Sequence, residues 1–305
     1  MPLDPSYLEF PKRREGMDHD LYPARNLFKE SPVTWPDGKK VALWITVAVE
    51  YFPLTPNDGP FRAAGHMVTP FPDYRTYTTR DYGNRIGIYR VMDALDQAGF
   101  PATAFISSAL FKRTPKLIKD IKAAGWELAA HGVDMNQLHY GGMESAEEHA
   151  QIARCKADWA AAGFTPQGWM SPGRSQSDHT LDFLKDAGFT WTADWGNDDM
   201  PFAMNNGLAA LPFTDELEDR KSMVTLGHNE EMWSNQITDA ANWLSNEAAR
   251  YGGRILHIAL TPYVIGQPFR IQILKDLLAS LAARDDIWAA TGSDIYAAWC
   301  ASTKR

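Results

Sequence analysis

A parallel (β/α) barrel is the fold class this sequence predicts, on two observations. Short apolar runs alternate with amphipathic stretches from residue 40 to residue 290, the rhythm of a parallel sheet wrapped by helices. Most of the apolar runs also end in a polar cluster: EYFP at 50–53, HGVD at 131–134, SPGR at 171–174, DWGNDD at 194–199, GHNEE at 227–231 and TPY at 261–263. In parallel α/β architectures the carboxyl edge of the sheet is where ligands are held.

Each element has its own signal. Residues 40–49, KVALWITVAV, form a continuous β-branched apolar run, the mark of a strand buried on both faces. Residues 55–80 carry Pro, Gly and His66 with little periodicity and read as a long loop, a common form for a functional lid. Over 81–98, Ile86, Tyr89, Val91, Met92 and Leu95 recur at helical spacing, and Gly99 ends the run. A strand over 102–106 follows. Thr114-Pro115 then opens a helix over 115–124, and 127–130 is a short strand between Gly125 and Gly132. Glycines 163 and 188 close helices over 146–162 and 178–187, which flank a strand at 168–170 and lead to another at 190–193. Strands are expected at 208–212, 222–226, 254–260 and 287–290, with helices over 235–251 and 272–283. Residues 1–40, rich in Pro and charge, read as an extended arm used in subunit contacts. That leaves 41–305 as one domain of about seven parallel strands.

The 305-residue chain has a formal net charge of −8, which argues against nucleic acid or an anionic membrane as partner. Its two cysteines, Cys155 and Cys300, lie far apart in expected helices with no CxxC spacing, so neither a thiolate metal site nor a disulfide framework is indicated. The first residues lack an apolar signal core and no long apolar run occurs, which fits a soluble cytoplasmic protein. Trp35, Trp195 and Trp233 fall in expected loops, where such rings either line pockets or pin loops to the core.

Several residues are candidates for chemistry. Glu50, followed by Tyr51, stands at the mouth of a buried strand, where a carboxylate is costly unless paired, metal-bound or working. His131 ends the 127–130 strand, followed by Asp134 and His139. It either caps the strand or works in a site. Asp198 and Asp199 suit substrate binding or a turn. Arg174 can hold a carboxylate or form a surface pair. His228, ahead of Glu230 and Glu231, suits proton transfer or a plain loop. His257, inside an apolar strand, reads mainly as a satisfied core histidine, with substrate contact as the alternative. His66 and His149 have no supporting context, and His149 falls on a helix face. No nucleophile elbow, phosphate loop or dinucleotide fingerprint occurs.

Three ordered blocks carry a resemblance: DYGNRIGIYRVMDAL…GFPATAFISSAL…AAGWELAAHG over 81–132, GWMSPGRSQSDHTLDFLKDAGFTWTADWGNDDMPF over 168–202, and ALTPYVIGQPFR over 259–270. Together they resemble the NodB-type polysaccharide deacetylase superfamily (carbohydrate esterase family 4-like), and within it the allantoinase-like branch. The resemblance spans about residues 35–299 and implies a distorted (β/α) barrel of the NodB-homology type. Metal-dependent members end their first strand with a base and a metal ligand. Here the ligand position resembles Glu50 and the base position is Ala48. Of the family's His-x-x-x-His pair, His131 matches the first member and Met135 stands at the second. Thr261 stands where the family's late histidine acts as general acid, and His257 lies four residues earlier, on the same strand face if the strand is regular.

A zinc-type site would therefore have Glu50 and His131 as ligands and need a third from Asp134, His139 or His228. The allantoinase-like branch has members thought to act without metal, so the resemblance leaves metal-free or weak-metal chemistry open as well. The expected function is hydrolysis of a non-peptide C–N bond in a small amide, cyclic amide, imide or ureide. Glu50, His131, Asp199 and His228 would be the catalytic residues, and Tyr51, Arg174, Trp195, Asp198 and His257 would bind a small-molecule substrate. The rivals are a polysaccharide N-deacetylase and a non-catalytic ligand-binding descendant. A homo-oligomer is expected.

Overall fold

The structure, a computed structural model, describes residues 19–28, 32–69 and 72–303; much of the expected N-terminal arm (1–18 and 29–31) lies outside the described residues. Among the described residues nine strands make one sheet: β1 (Val41–Val49), β2 (Thr103–Ile106), β3 (Glu127–Ala130), β4 (Gly168–Trp169), β5 (Trp191–Thr192), β6 (Phe202–Ala203), β7 (Ala209–Ala210), β8 (Arg254–Leu260) and β9 (Ile287–Ala290). The spatial order is β6-β7-β5-β4-β3-β2-β1-β8, with β9 pairing to β1. β8 runs along residues 41–47 of β1, so β9 (at 41–44) and β2 (at 46–49) share its opposite edge. All pairings are parallel except β6 with β7. This is the expected distorted (β/α) barrel, a curled sheet surrounded by helices.

The period of two along the strands sorts side chains into two apolar layers. Val41, Leu43, Ile45, Val47 and Val49 of β1 and Leu256, Ile258 and Leu260 of β8 face the surrounding helices. Ala42 and Trp44 of β1 point inward with Phe105, Ala129, Met170, Trp191, Ala193, Ala209, Leu211, Ile255 and Ala259. Trp44 and Trp191 meet edge to face at 5.9 Å inside the barrel. Gly168 makes room for this layer, because a Cβ there would stand 2.0 Å from the Trp191 ring. The lower interior is thus filled by indoles. What remains open is the carboxyl end, where the inward series continues as Thr46, Ala48 and Glu50.

The ends of the sheet are not hydrogen-bonded strand to strand among the described residues. The seam is closed by side chains instead. Thr214 N–H, four residues past Ala210 at the end of β7, donates to His257 Nδ1 of β8 at 3.0 Å, and the Phe213 ring packs 4.5 Å from the imidazole.

The structure corrects two expectations. Residues 222–226 are not a strand; they belong to a π-helical turn, Arg220–Thr225, capped by Asp219. Val224 and Leu226 stand exposed on it, so the apolar spacing that suggests a strand has no sheet to face. The helix expected from residue 81 begins at Tyr74, because the Asp73 carboxylate caps it by accepting Thr76 N–H at 3.0 Å. Its first nine residues, Tyr74–Tyr82, bury no side chain and so leave no apolar period. They run through a π turn, Gly83–Gly87, into Ile88–Ala98.

Candidate active site

A cavity of about 270 Å³ opens at the carboxyl end of the sheet, walled by Thr46, Ala48, Glu50, His131, Met170, Arg174, Phe213, Glu218, Arg220 and Thr261 among others. Each strand contributes the residues its period dictates: Thr46, Ala48 and Glu50 from β1, His131 from the end of β3, Ala259 and Thr261 from β8.

His131 continues the β3 ladder through its N–H to Ile106 O at 3.0 Å. Its side chain is buried, and Nδ1 lies 2.8 Å from the Met170 carbonyl. A carbonyl only accepts, so Nδ1 carries a proton and Nε2 is the nitrogen turned to the cavity, holding a lone pair when the ring is neutral. Nε2 has no hydrogen-bond partner among the described residues and faces Glu50 Oε1 at 3.7 Å. Gly132 fixes this aim. It sits at φ +60, and a Cβ there would stand 2.4 Å from Pro172, so only glycine lets the chain turn beneath the SPGR segment.

Glu50 is buried between that imidazole and Arg220, whose Nη1 lies 3.3 Å from Oε1 and 3.4 Å from Oε2. Burial pushes the carboxyl upward, but the Arg220 guanidinium and the His131 ring outweigh it and hold Glu50 below the usual range. Arg220 also pairs with Glu218 at 2.7 Å and donates to Ala64 O at 3.2 Å, tying the 55–69 loop to the site. Next to it, Asp219 is wholly buried, accepts the N–H groups of Arg220 (2.7 Å) and Thr261 (2.9 Å), and is pushed by burial up to about 7.

Two further contacts shape the cavity. Arg174, in the left-handed region at φ 51, bonds Asp215 and lies 4.1 Å over the Phe213 ring. His257 stands behind Thr46. Its Nδ1 accepts Thr214 N–H, so its Nε2–H donates to Thr46 Oγ1 at 3.0 Å, and burial and the Arg174 charge depress it to about 3. With that lone pair used, the Thr46 hydroxyl keeps its own hydrogen for the cavity.

Of the residues singled out from sequence, Glu50, His131 and Arg174 meet in this cavity. Tyr51 faces away from it into a neighbouring one. His257 contacts the site through Thr46, with both ring nitrogens engaged by the protein. Trp195 packs edge to face on Tyr22 at 5.7 Å, and Asp198 pairs with Arg25 at 3.7 Å. Asp199 is exposed beside it, and neither carboxylate lines the cavity. His228 bonds Ser222 Oγ at 3.2 Å within the π turn and lies outside the lining as well. Sequence reading missed Thr46, Glu218, Asp219 and Arg220. The cluster of acids and Arg in DELEDR after a short strand was the available signal.

The donor set does not fit a metal ion. Met135 is packed in the outer apolar core. The Asp134 carboxylate accepts the Asn136 N–H at 2.9 Å, and His139 is buried against Glu148 at 3.2 Å on the outer side of the sheet, beside Trp169. No group of three His, Cys, Asp or Glu side chains able to hold a metal exists among the described residues. The Arg220 cation occupies the approach to Glu50 instead, and no step below passes through a metal.

The family model for polysaccharide deacetylase matches residues 70–192, from the loop before the Tyr74 helix through β5. A candidate polysaccharide deacetylase of Schizosaccharomyces pombe is 25% identical over 302 residues, covering 88% of this chain and 92% of that protein. Over residues 70–192 this chain is thus similar to the polysaccharide deacetylases. Its fold recurs in the crystal structure of Puue allantoinase, with a TM-score of 0.80 and 22% identity over 93% of this chain and 99% of that one. It recurs too in a candidate polysaccharide deacetylase from Pseudomonas aeruginosa PAO1, with a TM-score of 0.79 and 22% identity over 92% and 98%. The matched segment holds His131 but not Glu50 or Arg220, so the acidic and cationic half of the site comes from outside it.

Proposed function

We propose that this protein hydrolyses a carbon–nitrogen bond in a small amide, cyclic amide, imide or ureide. The observation that carries the reading is the aim of His131: Nδ1–H is fixed on the Met170 carbonyl and Nε2 is directed, unbonded, at the cavity beside an ionised Glu50. A neutral imidazole so held is a general base for water. The water oxygen adds to the substrate carbonyl carbon while its proton passes to His131 Nε2. The carbonyl π pair moves to oxygen, where the Thr46 hydroxyl donates to it. Glu50 steadies the imidazolium as it forms. When the oxyanion pair returns, the C–N bond breaks and His131 gives its proton to the leaving nitrogen. The cavity of about 270 Å³ suits a small molecule rather than a polymer strand. The two cysteines, free in the structure, agree with work in a reducing cytoplasm, and a homo-oligomer is the expected assembly.

The test is turnover of succinimide, hydantoin and allantoin by the wild type, His131→Ala and Glu50→Gln. The His131 variant is expected to lose on the order of 10²- to 10⁴-fold in kcat while staying folded. Full activity in a folded His131→Ala protein would sink the mechanism. Stoichiometric binding without turnover in the wild type would replace it with the reading of a ligand-binding protein.

A further inference from the structure

A second cavity, of about 190 Å³, lies on the other side of Glu50 and shares that residue with the first. Its wall comes from the loop after β1, the Tyr74–Tyr82 helix and the short helix Leu110–Arg113 that follows β2. The composition is distinctive. Two arginines lie over tyrosine faces, Arg113 at 4.1 Å from the Tyr51 ring centre and Arg80 at 4.1 Å from that of Tyr263. Tyr77 and Phe52 add flat surface.

The charges in this wall are unequally matched. Its two carboxylates already have cations: Glu50 has Arg220 at 3.3 Å, and Asp81 has Arg85 at 3.4 Å. Its two guanidinium groups have no carboxylate partner among the described residues. Arg80 donates Nε–H to Gly65 O at 2.6 Å, and Arg113 makes only its ring contact. A guanidinium held over an aromatic face can keep edge N–H groups for a planar anion, and a carboxylate matches that fork. Aromatic walls beside it suit a flat organic body.

We infer that this second cavity is a subsite for a carboxylate group borne on a flat, small organic molecule, gripped by Arg113 and Arg80 against Tyr51 and Tyr77. The inference rests on the hydrolase reading in one respect: a molecule whose reactive bond lies beside His131 and whose carboxylate arm passes Glu50 fills both cavities. The substrate class then narrows to amides, imides or ureides that carry an acid.

The experiment separates the two ideas by reading binding, not turnover. The full-length protein is titrated with 4-fluorobenzoate and, separately, with its neutral isostere 4-fluorobenzamide, and ¹⁹F line broadening is followed for the wild type, Arg113→Ala, Arg113→Lys and His131→Ala. The expected result is saturable binding of the benzoate, weakened about tenfold or more in Arg113→Ala. The lysine variant should fall between, the benzamide should bind far more weakly, and His131→Ala should bind the benzoate like the wild type. Equal benzoate binding by wild type and Arg113→Ala overturns the inference. So does loss of binding in His131→Ala, which would place the probe in the first cavity. The absence of benzoate binding, or its displacement by equimolar inorganic phosphate, overturns it as well. If instead His131→Ala keeps full turnover on the imide panel, the hydrolase mechanism fails and the subsite stands.

Discussion

Arg220 and Glu50, separated by 170 residues in sequence, form the buried ion pair on which the site is built, with side-chain exposures of 16% and 4%. Removing the cation leaves a desolvated carboxylate with only the His131 ring beside it. Arg220→Ala is expected to destabilise the fold by about 3–5 kcal/mol, read by urea unfolding at pH 7. Because Glu50 is held below its ordinary value, the pair's contribution is present above roughly pH 4.3 and is lost as pH falls through the folded value. The gap between wild type and variant should therefore narrow below about pH 4. A constant gap across that range would mean the arginine acts through packing alone.

His257 supplies the opposite kind of sensitivity. Its folded value near 3 lies below the unfolded one of about 6.5, so acid favours the unfolded chain. This one group should cost the wild type up to about 1.4 kcal/mol per pH unit as pH drops from about 6.5 toward 3. Unfolding free energies at pH 7, 6 and 5 for wild type and His257→Gln should differ by that slope. The variant should also lower kcat more than it raises KM, since it releases the Thr46 hydroxyl rather than a substrate contact.

Asp219 behaves in reverse. Held at about 7 by burial, it binds a proton more tightly folded than unfolded, so its share of stability is present at low pH and lost as pH rises through 7. Asp219→Asn keeps an oxygen for the Thr261 and Arg220 N–H groups and removes the charge. Its Tm advantage over wild type should be greatest at pH 8 and shrink as pH falls from about 7 to about 4, where the advantage is gone. An equal Tm difference at both pH values would show that the carboxyl is ionised throughout.

Chelation gives a fourth test. With Arg220 on Glu50 and Met135 in the apolar core, turnover should survive prolonged EDTA or 1,10-phenanthroline treatment, and added zinc should bind no more tightly to wild type than to Glu50→Gln. Loss of activity restored by one equivalent of zinc would reinstate a metal ligand set.

The barrel was legible because its strands obey a period and its helices end at glycines. The 40–49 run and the 254–260 run carried enough apolar β-branched sequence to stand as central strands; Glu50 followed from the end of the first, and His131 from the end of the short 127–130 strand. Arg220 and Asp219 were not legible. They sit in a π turn whose Val224 and Leu226 imitate a strand, and only the fold brings that turn against β1. Asp198 and Asp199 misled for the converse reason. Adjacent carboxylates after a strand look like a site, yet a turn that aims them at Arg25 and solvent has the same sequence. His257 was ambiguous because burial alone does not tell a core histidine from a positioning one; the Thr46 hydroxyl on its far side decides that.

The seam between the two ends of the sheet has a consequence for how this chain tolerates change. Residues 211–229 cross from β7 to the region facing β8 without a strand ladder, anchored by Thr214 on His257 and by Asp219 on Thr261. No strand ladder runs through this loop, so changes at its exposed positions leave the strand register alone. It also delivers Asp215, Glu218, Arg220, Lys221 and Thr225 to the cavity wall. Grafting experiments that seek new substrates should cut here and keep Arg220 and Asp219: the strand register would hold while Asp215, Glu218 and Lys221 are rewritten in one stroke.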